Sequence, residues 1–353
     1  MALSKTQMAS LTRVRAAGNS TLDSVLDNEV CSYLLAVVVT DLGVQKGFKR
    51  IPRRLPLFFG KQPLATLRLS GLDFLAEFER LVSRVDDGDA YFFCLAKLHK
   101  ARLKYDRILR AQPMPTFDQV GPRGLLQYGS LSPEALAALL FWRKWMFDID
   151  NRAAQETGYL FEPVIAHAIG GVPFGSQKSP IKRKGGTGGR QVDCLREDTK
   201  RAYEFKLRVT IAASGQGRWE EELEFPVDVK SSGYKPVLVV LDPTPNPKLD
   251  ELCRAFHTQG GDVFIGADAW KHLEEEAGPT MAKFLEKYIR TPIQSLLDEA
   301  PKKLPDLLLS LADDQIVVRV GDEQLTIERQ PVEDLGSGAN ELPSDVDEDT
   351  PVP

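Results

Sequence analysis

Asp193, Glu204 and Lys206 fall on two short stretches, Arg190-Gln191-Val192-Asp193-Cys194-Leu195 and Arg201-Ala202-Tyr203-Glu204-Phe205-Lys206-Leu207, separated by the polar Glu197-Asp198-Thr199-Lys200. Apolar residues flanking Asp193, the alternation in the second stretch and the polar break predict two strands joined by a hairpin turn. Strand side chains alternate between faces, so Glu204 and Lys206 point one way while Phe205 turns to the core. Asp193, on the neighbouring strand, can lie beside them. Two carboxylates and one ammonium on a patch of sheet suit a hard divalent cation: they offer two oxygen ligands, leave positions for water and a phosphate, and put a positive charge nearby. An ordinary hairpin also carries such residues on its solvent face, so the weight falls on the neighbouring sequence. The preceding run, Lys178-Ser179-Pro180-Ile181-Lys182-Arg183-Lys184-Gly185-Gly186-Thr187-Gly188-Gly189-Arg190, is basic and glycine-rich and holds no acidic residue. Lys178, Lys182, Arg183, Lys184 and Arg190 are its candidate backbone-phosphate contacts. A phosphate-binding loop feeding a metal-binding hairpin is the combination that phosphodiester cleavage requires.

The elements that must position these groups are read from periodicity. Residues 1–20 carry weak periodicity and predict a frayed arm. An apolar helix is expected over 21–40 with Thr21 or Asp23 near its N-cap, then a basic loop over 46–61 that holds Pro52 and Pro56. Helical spacing recurs over 71–85 and 90–111. The charged face of the second, with Lys97, Lys100, Arg102, Lys104, Arg107 and Arg110, reads as solvated, a DNA-facing role being the lesser alternative. After a Pro/Gly-rich connection over 112–130, Ser132-Pro133-Glu134 starts a helix running to Asp148, whose Trp142 and Trp145 read as core. A separate helix is expected over 151–169. Glu162 lies on it among apolar residues, an expensive place for a carboxylate that is neither paired nor near a cation, which makes it a candidate additional metal ligand. Beyond the hairpin, a helix broken near Pro226 spans 210–233, with Gln216, Arg218 and Glu221 as supporting residues. Strands are expected over 235–241 and 262–265, with a helix over 246–258 between them. A helical stretch interrupted at Gly278-Pro279 follows over 267–290, and a terminal hairpin pairs 316–320 with 324–327. Gly170 and Gly175 have the spacing of a phosphate-binding P-loop, but Ser176 stands where its lysine belongs, which removes the main support for nucleotide hydrolysis.

The chain has 353 residues, 42% of them hydrophobic and 27% charged, enough for one large or two ordinary domains with a substantial core. Four cysteines, Cys31, Cys94, Cys194 and Cys253, form no CxxC pair and read as reduced thiols, not a disulfide framework or zinc site. No signal pattern or apolar run of membrane-spanning length appears, so a soluble, cytoplasmic protein is expected. The net charge of -5 conceals an uneven distribution: no Lys or Arg follows Arg329, whereas Glu333, Asp334, Glu341, Asp345, Asp347, Glu348 and Asp349 accumulate. Without that tail, disordered by composition, the remainder is close to neutral, and local fields decide whether a phosphate backbone can dock.

The order of helix, strand with Asp193, strand with Glu204 and Lys206, helix, strand, helix and strand resembles the core of the PD-(D/E)xK nuclease superfamily. Over about residues 150–290 the likeness sharpens. Gly158-Tyr159-Leu160-Phe161-Glu162-Pro163, Arg190-Gln191-Val192-Asp193-Cys194, Ala202-Tyr203-Glu204-Phe205-Lys206-Leu207-Arg208-Val209-Thr210-Ile211-Ala212 and Leu241-Asp242-Pro243-Thr244-Pro245-Asn246-Pro247 are similar to the ApaLI-like type II restriction endonucleases. Val192 replaces the proline that names the superfamily motif, a position that supplies no ligand. The resemblance implies an α/β fold with a restriction-endonuclease-like core, a mixed central sheet flanked by helices. It divides the chain into a mainly helical region (1–149), the nuclease core (150–290), a C-terminal helix and hairpin (291–330) and the acidic tail (331–353). It also implies a homodimer cutting both strands of a short DNA palindrome, with GTGCAC the site associated with the family's namesake. Asp193 and Glu204, with Glu162 as a further acid and the Phe205 carbonyl as a further ligand, would hold Mg2+; Lys206 would orient or deprotonate water; and the products would carry 5′-phosphates. A cognate DNA methyltransferase would act on the same site without a stable complex. Two alternatives stay open on the residues alone: a repair, recombination or RNA-processing nuclease on the same core, and a non-catalytic DNA-binding protein.

Overall fold

The computed structural model describes residues 3–18, 20–48, 50–185, 188–207 and 216–330, with side chains in the last segment taken from Trp219 onward. The expectations placed on the side chains of Gln216 and Arg218 and on the acidic tail lie outside what is described.

Five strands form one mixed sheet in chain order: β1 (Val172–Phe174), β2 (Val192–Arg196), β3 (Arg201–Lys206), β4 (Lys235–Val240) and β5 (Asp262–Ile265). The predicted hairpin is β2–β3, antiparallel with Cys194 opposite Tyr203, Leu195 opposite Ala202 and Arg196 opposite Arg201. Its four-residue turn closes with Lys200 at φ 53°, in the left-handed region. β4 then pairs with β3 in parallel, and β5 with β4. Parallel neighbours need crossovers, and these are helices α7 (Gln216–Ser231) and α8 (Pro247–Thr258). Pro247 sits at the first turn of α8 behind the N-cap Asn246, whose side chain accepts from the Leu249 amide.

Both faces of the sheet are covered, which explains why β4 is an unbroken apolar run. On one face Phe225 and Val229 of α7 and Leu249, Leu252 and Phe256 of α8 pack on Ala202, Leu238 and Val240. On the other, Tyr203, Phe205, Val237 and Val239 meet α6 (Pro133–Ala168) and α9 (Ala267–Leu285). The same core continues without interruption into α1 (Lys5–Arg15), α2 (Asn28–Asp41), α3 (Phe74–Val82) and α4 (Gly88–Ala111). The short α5 (Phe117–Val120) leads toward α6, and α10 (Thr291–Asp298) precedes a second sheet of three antiparallel strands: β6 (Leu307–Ala312), β7 (Gln315–Val320) and β8 (Glu323–Glu328). Trp145 of α6 is buried against Ile316 and Ile327 of that sheet, so the expected aromatic stripe is core.

Several expectations need correction. The N-terminal arm is helical over Lys5–Arg15, because Ser4 and Gln7 form a reciprocal capping box. The second helix begins at Asn28 behind Asp27, whose carboxylate accepts from the Glu29 and Val30 amides. Asp23 is used elsewhere, accepting from the Ser20 amide and pairing with Lys104. The two helices expected between Ser132 and Ile169 are a single 36-residue helix that passes through Pro163. Nothing in Asp148-Ile149-Asp150-Asn151 breaks a helix. Likewise α7 remains helical through Pro226. By contrast, the interruption at Gly278-Pro279 is present, with Gly278 at φ 68° inside α9. Strand β1 escaped prediction because it is three residues with a proline at its centre, tolerable only at an edge. Strand β6 escaped because Leu-Leu-Leu-Ser-Leu-Ala has no decisive period.

Candidate active site

Continuing the β2–β3 register by one step sets Asp193 opposite Glu204. Side chains directly opposite share a face, and Lys206, two residues beyond Glu204, shares it too. The structure therefore gathers the three sequence-nominated groups. Asp193 is nearly buried, and one of its oxygens accepts from the Phe205 amide at 2.8 Å. Lys206 Nζ lies 2.8 Å from Glu204 Oε1 and 3.4 Å from Glu222 Oε1 of α7. Glu162 arrives from α6, close enough that Glu204 and Lys206 both act on its charge.

Burial is the largest influence on Glu162, Asp193 and Lys206. It pushes the Glu162 carboxyl up to about 7, reinforced by Glu204 and offset by Lys206. It raises Asp193 well above the usual carboxylate range, with Glu204 and Glu162 adding to the rise while Lys206 and the Phe205 amide oppose it. For Lys206 burial works downward, yet Glu204, Glu222 and Asp193 outweigh it and hold the ammonium protonated. Among the described residues, the four carboxylates Asp193, Glu162, Glu204 and Glu222 surround the Lys206 ammonium. Among the described residues no three acidic, His or Cys side chains close into a ready-made metal cage, so the donor set is open and must be completed by water or phosphate oxygens. It nevertheless fits a divalent cation: hard oxygen donors are what Mg2+ takes, usually from one or two carboxylates with the rest from water and phosphate. The mutual repulsion that raises Glu162 and Asp193 is the strain such a charge would relieve.

Sequence reasoning did not single out Glu222. It lies in the acidic run Glu220-Glu221-Glu222, which reads as a solvent face, but its helical phase was informative. Three and seven residues separate it from Phe225 and Val229, both buried, so it shares the inward face of α7.

The basic run forms a narrow loop against α7. Lys182 bridges to Gly189, and the Arg190 amide donates to the Ile181 carbonyl at 2.9 Å. Arg183 pairs with Glu221 at 2.9 Å, so Glu221 braces the basic loop. Lys178, Lys182 and Lys184 are exposed. Arg190 is elsewhere: only 5% exposed, its guanidinium donates to Asp228 at 2.5 Å and to the Glu221 carbonyl at 2.9 Å. Asp228 also accepts from the Lys184 amide at 2.8 Å. Arg190 thus pins the loop to the fold from inside. The basic face of α4 is similarly occupied. Lys100 donates to the Ala16 carbonyl, Arg102 to the Phe58 carbonyl, Arg107 to the Leu22 and Asp23 carbonyls, and Lys104 pairs with Glu156. That face binds the N-terminal segments to α4 and is neither merely solvated nor free for DNA.

The four cysteines are free thiols, three of them buried, and among the described residues no helix is long and apolar enough to cross a membrane. No solved structure matches the chain significantly. A family model described as ApaLI-like restriction endonuclease matches residues 67–290, so the likeness reaches back through α3 and α4, well beyond the core to which the motifs confined it. The chain is also 41% identical over 347 residues to the type II restriction enzyme ApaLI of Acetobacter pasteurianus, covering 90% of this chain and 92% of the relative. A match of that extent shows that this protein belongs to the ApaLI-like family of type II restriction endonucleases.

Proposed function

We propose that this enzyme hydrolyses double-stranded DNA at a short palindrome, GTGCAC being the first candidate, with Mg2+ as cofactor and 5′-phosphate and 3′-hydroxyl ends as products. The observation that carries the reading is the gathering of Asp193, Glu204 and Lys206 on one sheet face beside Glu162. Asp193 and Glu204, with Glu162 as a third acid and the Phe205 carbonyl at hand, would hold the cation. When bound, Mg2+ supplies Lewis-acid polarisation of the scissile phosphate and a more acidic water. The chain's own part is positional and electrostatic. The Phe205 amide fixes Asp193 by a hydrogen bond, and the β2–β3 pairing fixes Glu204 relative to it. Lys206 places a protonated ammonium beside the reacting phosphate, where it orients the attacking water and offsets the negative charge that builds up during displacement. Lys178, Lys182, Arg183 and Lys184 would track the phosphate backbone, giving salt-dependent, sequence-independent affinity. Cutting both strands of a palindrome calls for a homodimer, and a cognate methyltransferase in the same cytoplasm would protect the host's own sites.

The test is digestion of fully sequenced plasmid or phage DNA with and without Mg2+, beside Lys206→Ala and Glu204→Ala. Discrete bands that need the metal and vanish in both variants support the assignment, and mapping their ends gives the site and cut position. A smear would move the protein to a less selective nuclease role, and intact binding without cutting would leave a DNA-binding module.

A further inference from the structure

The ammonium of Lys206 has two carboxylate neighbours, and they are not equivalent. Glu204 lies two residues away on the same strand, 2.8 Å from Nζ. Glu222 comes from α7, on the other side of a crossover, at 3.4 Å. On the reading above, Glu204 is also one of the acids that would hold the cation, so its oxygens serve two positive charges. Whatever orientation favours one weakens its hold on the other. Glu222 carries no such double duty.

The frame that holds Glu222 is rigid. Trp219, one turn before it, donates from its indole nitrogen to Glu251 of α8 at 3.1 Å. Phe225 and Val229, on the same side of the helix, are buried against the sheet. On the neighbouring flank Glu221 holds Arg183 and Asp228 holds Arg190, so α7 can neither roll nor slide without breaking these contacts. A carboxylate on such a helix is a fixed reference point for a flexible lysine.

We propose that Glu222 is a positioning residue for DNA cleavage: its carboxylate keeps the Lys206 ammonium in place when Glu204 turns to the cation. The proposal rests on the assignment of Asp193, Glu204 and Lys206 as the nuclease centre. Glu222 acts through Lys206 and touches neither the cation nor the DNA.

The experiment compares Glu222→Gln, Glu222→Asp and, as a control on the exposed side of α7, Glu220→Gln, after thermal unfolding has shown that each variant folds. In metal-free protein, the rate of reductive methylation of each lysine is followed by mass spectrometry. Lys206 should react several-fold faster in Glu222→Gln than in the unaltered protein, with Lys235 and Lys248 unchanged. Single-turnover cleavage of a duplex carrying the mapped site should fall about 10- to 100-fold, the size expected when an orienting partner is lost. Duplex affinity in Ca2+ and the Mg2+ concentration for half-maximal rate should not move, and Glu222→Asp should recover part of the rate. Unchanged methylation of Lys206, unchanged cleavage, or a large shift in the Mg2+ requirement would each overturn the proposal, the last by making Glu222 a cation contact. If the unaltered protein cuts no DNA, the nuclease assignment fails and this role with it. The methylation comparison then shows separately whether the Glu222–Lys206 contact exists.

Discussion

Among the described residues, Lys206 is the only cation that acts on the charges of Asp193 and Glu162, and it pairs with Glu204. Replacing it with alanine should lower the cleavage rate by at least about a hundredfold, the lower end of what a positioned proton-handling group contributes, while duplex binding in Ca2+ persists. Glu162 allows a second test with a defined sign. Its folded value of about 7 lies above the ordinary glutamate value, so between pH 4.5 and 7 the folded state keeps a proton that the unfolded chain has lost. That contribution is present at pH 4.5 and below and is lost as the pH rises through 7. Glu162→Gln should therefore raise the unfolding temperature of the metal-free protein at pH 8 by a few degrees and leave it nearly unchanged near pH 4.5. A calorimetric series across that window checks it, and equal effects at both ends would refute the assignment. At this scale the sequence was readable where a side chain contradicted its surroundings. Glu162 stood out as a carboxylate in an apolar run, and Asp193, Glu204 and Lys206 as charges in a strand pattern. Glu222 was hidden because an acid among acids on a helix looks like ordinary solvent-facing surface.

Among the elements, the basic loop and α7 form one unit closed by the Arg190–Asp228 pair, 5% and 2% exposed. Arg190→Ala leaves Asp228 buried without its partner and should cost about 3–5 kcal/mol in chemical denaturation. Lys182→Ala and Lys184→Ala should leave stability unchanged and weaken duplex binding for all sequences. Each should also reduce the salt slope of log affinity by about 1, as expected for one lost phosphate contact. An unaltered salt slope in both would show that the loop does not meet the backbone. Elements with strong periodicity or clear caps, such as α4, α8 and β4, were legible. Boundaries were misplaced where a single residue decides: Asp27 caps α2 in preference to Asp23 because its carboxylate reaches two amides of the first turn. The fate of the α4 basic face was not legible at all. A lysine or arginine at a solvent-facing phase gives no hint that a distant carbonyl, such as that of Ala16 or Phe58, will fold back to meet it.

Across the whole molecule, one core runs from α1 through α4 and α6 to the sheet and α9, and the stability of the site is inseparable from it. His99 lies in this core, 1% exposed with both ring nitrogens unpartnered. Burial, reinforced by Arg102, pulls it down to about 4. Because the unfolded imidazole binds a proton near pH 6.5, its stabilising contribution is present above that value and is lost as the pH falls toward 4. A His99→Met variant should show a flatter decline in unfolding free energy between pH 6.5 and 4.5. His167, also pulled down to about 4, leaves some acid sensitivity in place. The joining of the helical region to the sheet could not be read from patterns that describe one element at a time. It depends on α6, which spans 36 residues, about 54 Å at the helical rise. Trp145 grips the small C-terminal sheet at one point along it, and Glu162 reaches Asp193 and Glu204 seventeen residues later. Each added or deleted residue between them would turn one end against the other by about 100°, swinging either the indole off its sheet or the carboxylate out of the site. The outward-facing residues of that segment, such as Met146, Phe147 and Ala154, are thus open to change, whereas its length is fixed by what it holds at either end.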